Sequence, residues 1–378
     1  MSRSLAVLHI TDTLEAGGLE RMVVNLANHL PQDRCRTLLC TTRRDGPLLE
    51  KLAPHVIRLQ LRRRHRFDLQ ALRSLVEFIR EHDIQIIHAH GTSLFVAVVA
   101  SFFSPFPALV WHIHSGHLSA GGPVTWPYKL VASRIRAVIA VTQDLADWSC
   151  EKLHMAYNRV LYVPNFVWRD NEIKKNEKTI LPGQDACRIV CLANLHSPKD
   201  HATLLHAMAL VTRQICNWHL ILIGSANDTA YSRNLQKLIS NYQLKGHVSF
   251  LGHRDDVLRI LETCDIGVLS STSEGFPMTL LEYGMAGLPT VATQVGQCPE
   301  ILDYGRAGIL VPPGSPNQLS EAILELLRSP DRREFLGKQL NLHVQERFNQ
   351  NRILEKFCLF YEMVVGGQEN VAAVPSGR

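Results

Sequence analysis

The stretch SEGFPMTLLEYGMAGLPTVAT, Ser273 to Thr293, holds the signals for a turn, a short helix and a strand in direct succession. The apolar run IGVLSS ends near Ser271, so STSEGF reads as the loop behind a strand. Pro277 suits the first helical position, where its missing N–H costs nothing. Met278 to Ala286 continue the helix, Gly287 can close it in a left-handed conformation, and Pro289 blocks extension. A helix beginning at a strand's carboxyl end turns free N–H groups and a partial positive charge outward, an anion site suited to phosphates. Glu274 stands just before this terminus and Glu282 about a turn and a half inside. At about 1.5 Å rise per residue, the two carboxylates lie roughly 10 Å apart. That is too far for a pair sharing one bond, but it suits gripping both ends of a molecule whose middle is a diphosphate. Carboxylates accept from vicinal hydroxyls and are poor phosphate ligands. The expected arrangement is sugar hydroxyls at Glu274, phosphate at the helix start and ribose hydroxyls at Glu282. Taken alone, this spacing of two glutamates is a common accident, with one a helix-terminal acid and the other an exposed helix residue. The full string is far less common.

Outward from this stretch, short apolar runs alternate with amphipathic helical segments along most of the chain. In the first half the strands read LAVLHIT, RTLLCTT, VIRLQL, IQIIHAH, ALVWHIH and AVIAVT. Such alternation implies an α/β fold with a parallel sheet covered on both faces. RVLYVPNFV then leads into a polar, lysine-rich linker, WRDNEIKKNEKTILPGQD. After it come RIVCLAN, HLILIGS, HVSFLGH, IGVLSS, PTVATQ and GILVPP. Two doubly wound, Rossmann-like domains are expected, 1–168 and 186–345. A last helix over 346–365 should pack across them, followed by a tail at 366–378 without order. Ligands of open parallel sheets sit outside the strands' carboxyl ends, so a central cleft faced by both sheets is the expected site.

The totals agree. A chain of 378 residues is too long for one ordinary core. With 46% hydrophobic and 20% charged residues, the composition is globular. Nine cysteines without framework spacing argue against a disulfide scaffold and fit a reducing cytosolic setting. Cys187 and Cys191 fall on or beside an apolar strand pattern, as buried thiols do. The start MSRSLAVLHIT lacks the apolar region and cleavage site of a signal peptide. The run LFVAVVASFF is too short to span a bilayer and is broken by Ser-Pro-Phe-Pro. The chain is therefore expected to be cytoplasmic, neither secreted nor transmembrane. Net charge is +5 but uneven, with Arg58, Arg62, Arg63, Arg64 and Arg66 crowded into RLQLRRRHRF. This is either a solvated loop or a polybasic patch, centred on Arg62, Arg63 and Arg64, that touches an anionic membrane surface. Without an aromatic-studded basic face or a recognition helix, nucleic acid is not an expected partner.

In the first half, AGGLER follows the first strand and opens a helix. Gly17 and Gly18 let backbone approach a ligand closely. The pattern G-x-G-x-x-G is absent, which leaves a dehydrogenase poorly supported. Two His-x-His pairs end neighbouring strands, His88 with His90 and His112 with His114, and strand alternation puts each pair on one face. Four imidazoles could form a metal site, but no acid or cysteine accompanies them. Satisfied structural histidines are the commoner fate, and no metal is expected.

The strings LANLHSPKDHATLLHAMA, HLILIGS, VSFLGHRDDV, CDIGVLSSTSEGFPMTLLEYGMAGLPTVAT and GILVPPGSP resemble the retaining nucleotide-sugar glycosyltransferases of family 4, which have the two-domain GT-B fold. The resemblance covers nearly the whole chain and is densest from Arg188 to Pro313. It implies that Glu274 contacts the transferred sugar and Glu282 the nucleotide ribose, with the backbone of Gly275, Phe276 and Pro277 along the sugar and diphosphate. It places Lys199 on the diphosphate. The arginine that accompanies this lysine in the family is Asn194 here, which removes one charge from the phosphate site. His253 to Val257 would border the base, the loop with Gly17 and Gly18 the donor phosphate and acceptor, and His114 the transferred sugar. The family implies retention without a bound metal or cofactor, consistent with the lack of a D-x-D motif. A front-face displacement fits, in which Lys199 and the helix start stabilise the departing nucleoside diphosphate. The implied partners are a nucleotide sugar and a glycan or lipid-linked acceptor of a surface polysaccharide or glycolipid. Acceptor contacts are expected in loops such as SGHLSAGGPVTW. A nucleotide-sugar epimerase and a non-catalytic nucleotide-sugar sensor are the rival readings.

Overall fold

The computed structural model describes residues 4–15, 17–65, 68–103, 107–114, 126–167, 181–226 and 229–366. The expected linker, the loop after His114 and the tail beyond Gly366 lie largely or wholly outside the described residues. The chain divides into two compact units, residues 1–168 with 350–378, and residues 169–349.

The first unit is built on β1 (Leu5–Thr11), β2 (Cys35–Thr41), β3 (Ile57–Gln60), β4 (Ile86–His90), β5 (Ala108–Ile113), β6 (Ala137–Ala140) and β7 (Val160–Tyr162). They form one sheet in the order β3-β2-β1-β4-β5-β6-β7, with parallel pairing throughout. The central strands are buried on both faces, which is why they read as continuous apolar runs rather than alternating ones. β7 adds a seventh strand to the six expected, formed within the run RVLYVPNFV that leads into the linker. Helix Gln350–Gly366 belongs to this unit. Arg34 pairs with its Glu355 and Glu362, both at 2.7 Å. The Phe357 ring lies against His88 and His112.

The second unit carries β8 (Cys187–Leu192), β9 (Trp218–Ile223), β10 (Val248–Gly252), β11 (Ile266–Leu269), β12 (Thr290–Thr293) and β13 (Ile309–Val311). Their order is β10-β9-β8-β11-β12-β13, again parallel. All six expected strands are present. Ile189, Leu220, Ile266 and Val291 from the sheet join Leu204, Met208, Leu319 and Ile323 from flanking helices in one core.

In each sheet the strand order reverses once, beside β1 and β4 in the first and beside β8 and β11 in the second. Loops leaving neighbouring strands at such a point diverge to opposite faces and leave a crevice at the carboxyl ends. In the second unit those loops carry Lys199, after β8, and Glu274, after β11.

Helix Met278–Met285 begins one residue later than its sequence suggests. Pro277 caps it in an extended conformation (φ −74°, ψ 106°), leaving the first helical position to Met278. Gly287 closes it as expected, at φ +67°. Helix Pro330–Arg347 packs on it, with Asn341 Nδ2 donating to Gly284 O at 2.7 Å. A Cβ on Gly284 would stand 2.4 Å from the Val344 side chain, so this glycine sets how closely the two helices approach.

Candidate active site

Glu274 and Lys199 are brought into direct contact. Lys199 Nζ lies 2.6 Å from Glu274 Oε1, and Ser271 Oγ donates to the same oxygen at 2.6 Å. The carboxylate side chain is 9% exposed and the lysine 21%, so the pair is shielded but open at the lysine end. Two loops are stitched together to make this contact. Thr272 N donates to Pro198 O at 2.9 Å and Ser270 Oγ to Lys199 O at 3.0 Å. Thr293 Oγ1, at the end of β12, donates to Ser271 O at 2.6 Å.

The turn Glu274–Pro277 is held from behind by the loop after β12. Gln297 N donates to Gly275 O at 3.0 Å. Gly296 sits at φ +50°, and a Cβ there would come within 2.3 Å of Glu274 O. Phe276 is buried edge-on against Phe348, centroids 5.6 Å apart, which anchors the turn by its side chain. Thr279 Oγ1 donates to Leu192 O at 2.9 Å and ties the helix's first turn to the end of β8. The helix start thus stands beside Lys199 at the sheet's switch point, an arrangement that favours an anion. Glu282 is half-buried, just over one turn into the helix. Burial pushes the Cys298 thiol up to about 12, with the Glu274 carboxylate adding to the shift.

Asn194 acts as a brace. Its Oδ1 accepts from Ser225 N at 2.9 Å, while Gly224, at φ +154°, lets the loop after β9 approach Ala193 O, where a Cβ would lie at 2.2 Å. In the segment bordering the expected base, Arg254 pairs with Asp256 at 2.6 Å and His253 Nε2 lies 3.8 Å from Asp255.

In the first unit, Gly17 caps helix Gly18–His29 and Gly18 opens it. A Cβ on Gly17 would meet the Glu20 carboxylate at 2.2 Å, so the glycine makes room for that acid. Thr13 Oγ1 donates to Glu20 Oε1 at 3.1 Å, and burial raises the Glu20 carboxyl above its ordinary value. Asp12, also at the end of β1, accepts from Thr42 Oγ1 and Thr92 Oγ1 at 2.5 and 2.6 Å. Arg63 reaches towards the same acid at 3.8 Å and is only 14% exposed, whereas Arg62 and Arg64 are exposed.

His114 follows β5 and is one of five imidazoles, not four. Register sets His9 of β1 opposite His88 and sets His90 opposite His112. His9 Nδ1 lies 3.1 Å from His90 Nε2, and His90 Nδ1 lies 3.2 Å from His114 Nε2. His88 Nδ1 meets Tyr361 Oη at 2.7 Å. Burial lowers the pKa of all five, to about 3 for His9 and His114 and well below 6.5 for the others, where neighbouring imidazoles add to the effect. The ring is neutral, so His114 can accept or donate a hydrogen bond but carries no charge. The expectation that the histidines other than His114 are satisfied holds for His90, both of whose nitrogens have a partner, and only for one nitrogen of His88. His9 Nε2, His88 Nε2, both nitrogens of His112 and His114 Nδ1 are buried without a hydrogen-bond partner.

Ser271, Gly296, Asp12 and His9 escaped the sequence reading. Ser271, Asp12 and Gly296 stand just beyond a strand's carboxyl end, and that position was the available signal, whereas His9 lies within β1. A cavity of about 660 Å³ lies elsewhere, lined by Gln85, Ala108, Arg134, Arg136 and Arg159 around the amino ends of β5 and β6, and holds none of the candidate residues.

Two parallel, doubly wound units, the second with an acid–lysine pair at its switch point, have the architecture of the GT-B fold. The chain belongs to glycosyltransferase family 4, since the model "Glycosyltransferase Family 4" matches residues 16–170 and "Glycosyl transferases group 1" matches residues 186–329. It is 21% identical over 316 residues to N-acetyl-alpha-D-glucosaminyl L-malate synthase of Bacillus anthracis, covering 80% of this chain and 81% of that protein. The crystal structure of Anabaena Alr3699/HepE in complex with UDP-glucose superposes with TM-score 0.79 at 21% identity, covering 96% of this chain and all of that one. WaaG, a glycosyltransferase involved in lipopolysaccharide biosynthesis, has TM-score 0.71 at 15% identity, covering 96% of this chain and 100% of that one. Among the described residues, no helix is long and apolar enough to cross a membrane.

Proposed function

We propose that the chain moves a sugar from a nucleoside-diphosphate sugar to a hydroxyl of a glycan or lipid-linked acceptor, with retention at the anomeric carbon, in the assembly of a surface polysaccharide or glycolipid. The contact of Lys199, Ser271 and Glu274 just before helix Met278–Met285 carries this reading. Sugar hydroxyls take the place of the ammonium on Glu274, and Lys199 turns to the diphosphate. As the sugar–phosphate bond breaks, charge grows on the leaving oxygen, and Lys199 with the helix N–H groups stabilises it. The acceptor hydroxyl attacks from the same face and gives up its proton to the departing phosphate. Glu282 holds the ribose, and the backbone of Gly275, Phe276 and Pro277 lines the donor. Asn194, tied to Ser225, shapes the phosphate loop without adding charge. Gly17 and Gly18 border the donor phosphate, and His114, a neutral imidazole, hydrogen-bonds the transferred sugar. The relatives support this by their names, one crystallised with UDP-glucose and one involved in lipopolysaccharide biosynthesis. The work is done at the cytoplasmic face of a membrane, with Arg62 and Arg64 towards anionic lipid and Arg63 largely engaged by Asp12.

Incubating the protein with membranes and a panel of labelled sugar nucleotides, UDP-glucose first, tests the reading. Label should pass to a lipid or glycan and fall away in Glu274→Ala. Interconversion of the free nucleotide sugar would identify an epimerase. Donor binding with no turnover on any acceptor pool would identify a sensor.

A further inference from the structure

The five imidazoles on and just after β1, β4 and β5 hold more nitrogens than hydrogen bonds. A buried polar atom without a partner costs about 1–3 kcal/mol, and five of them in one cluster call for a ligand. We propose that His90, His112 and His114 bind a divalent transition-metal ion of the zinc class. One nitrogen from each of the three lies within 4.8 Å of the others. His90 Nδ1 and His114 Nε2 stand 3.2 Å apart. Metal–nitrogen bonds of about 2.0–2.1 Å in a tetrahedron place two ligand atoms about 3.3 Å apart, so this edge is already formed. His112, opposite His90 in register and two residues before His114, has both nitrogens unpartnered.

The surroundings hold the rings as a ligand set needs. His90 Nε2 is engaged by His9 at 3.1 Å, the kind of outer contact that fixes a ligating imidazole's orientation. His88 stacks on His90 at 4.2 Å and is itself held by Tyr361. A second trio, His9, His88 and His90, is wholly buried, whereas His114 is half-buried just after β5. An all-imidazole set suits zinc, cobalt, nickel or copper and not the oxygen-seeking calcium or magnesium. Three protein ligands leave a fourth position for water or an anion. The ion takes no part in sugar transfer. On the reading of His114 as the sugar's hydrogen-bond partner, a bound ion occupies Nε2 and competes with the donor.

The test uses tag-free protein stripped with a chelator and titrated with Co²⁺, followed by visible absorption, with Zn²⁺ binding measured by calorimetry. One ion per chain with tetrahedral cobalt bands is expected. His112→Ala and His114→Ala should each weaken binding by about 100-fold or more, at least as much as loss of an outer partner does. His55→Ala, on the exposed surface, should change nothing. Circular dichroism checks that the variants fold, and His114→Ala, at the less buried position, decides if His112→Ala does not. Absence of stoichiometric binding, or equal binding in folded His114→Ala, would overturn the proposal. Neither readout needs sugar transfer, so failure here leaves the transferase reading standing, and failure of transfer leaves the metal site standing.

Discussion

At the residue scale, the Lys199–Glu274 contact decides most. A shielded ion pair is held by its members' mutual attraction, so removing one partner strands the other. Lys199→Ala should lower kcat/KM by about 100- to 1,000-fold, the usual loss when one stabiliser of developing charge is removed. It should also lower the melting temperature. The double variant Lys199→Ala/Glu274→Ala should melt higher than Lys199→Ala alone, because no carboxylate then remains unpaired. Steady-state kinetics and thermal melts on the wild type, Lys199→Ala, Glu274→Ala and the double variant measure both effects. Additive melting shifts would show that the contact is too well hydrated to matter. The two residues were legible because E-x7-E and the SPK turn lie in recognisable strings. Their contact was not, since they are 75 positions apart and meet only because β8 and β11 are neighbours.

At the element scale, the turn before helix Met278–Met285 is shaped by a loop that contributes no side chain to it. Gly296 lies in left-handed space with Glu274 O directly behind it. A left-handed conformation costs a non-glycine residue about 1–2 kcal/mol, and the added methyl must also push the carbonyl away. Gly296→Ala should therefore lose stability by at least that amount. It should also lose activity by about 100-fold, the effect of displacing a reacting group by about 1 Å. A variant that loses stability while keeping kcat would show that the turn position is set elsewhere. The helix itself was readable from Pro277, Gly287 and Pro289, apart from a one-residue shift at its start. That shift arises because Pro277 keeps extended backbone to span the turn. Tyr283 lay outside sequence reading altogether. Its hydroxyl reaches Leu192 N at 2.9 Å and Val190 O and Val268 O at 3.2 Å, tying β8 to β11. It fits only because a side chain at Gly267 is absent, and that coupling has no periodicity.

At the scale of the whole molecule, strand–helix alternation made both sheets legible, while register between distant strands did not show in any local pattern. The basic stretch illustrates the limit. Its arginines look equivalent in sequence, yet Arg63 is turned to Asp12 and Arg62 and Arg64 face solvent. Each exposed basic residue near an anionic bilayer contributes about 1 kcal/mol. Replacing Arg62 and Arg64 with alanine should cut flotation on anionic vesicles by roughly 30-fold, about 2 kcal/mol in all. Flotation unchanged by the double replacement would exclude this stretch as the membrane contact. The histidines set a second global property. His9, His88, His90, His112 and His114 are neutral in the folded first unit, and in the unfolded chain each would protonate near pH 6.5. The unfolded state then binds more protons below that pH, so stability is fully present above about 6.5 and is lost as pH falls towards 3. All five shifts have the same direction, so their effects on stability add as pH falls below about 6.5. Among the described residues of the second unit, His201 is lowered to about 4 and His219 is lowered as well, both mainly by burial. In chelator, hydrogen exchange followed from pH 7 to pH 4.5 should therefore show residues 5–162 losing protection before residues 187–347. Loss in the opposite order would mean that the imidazole cluster takes up protons while still folded.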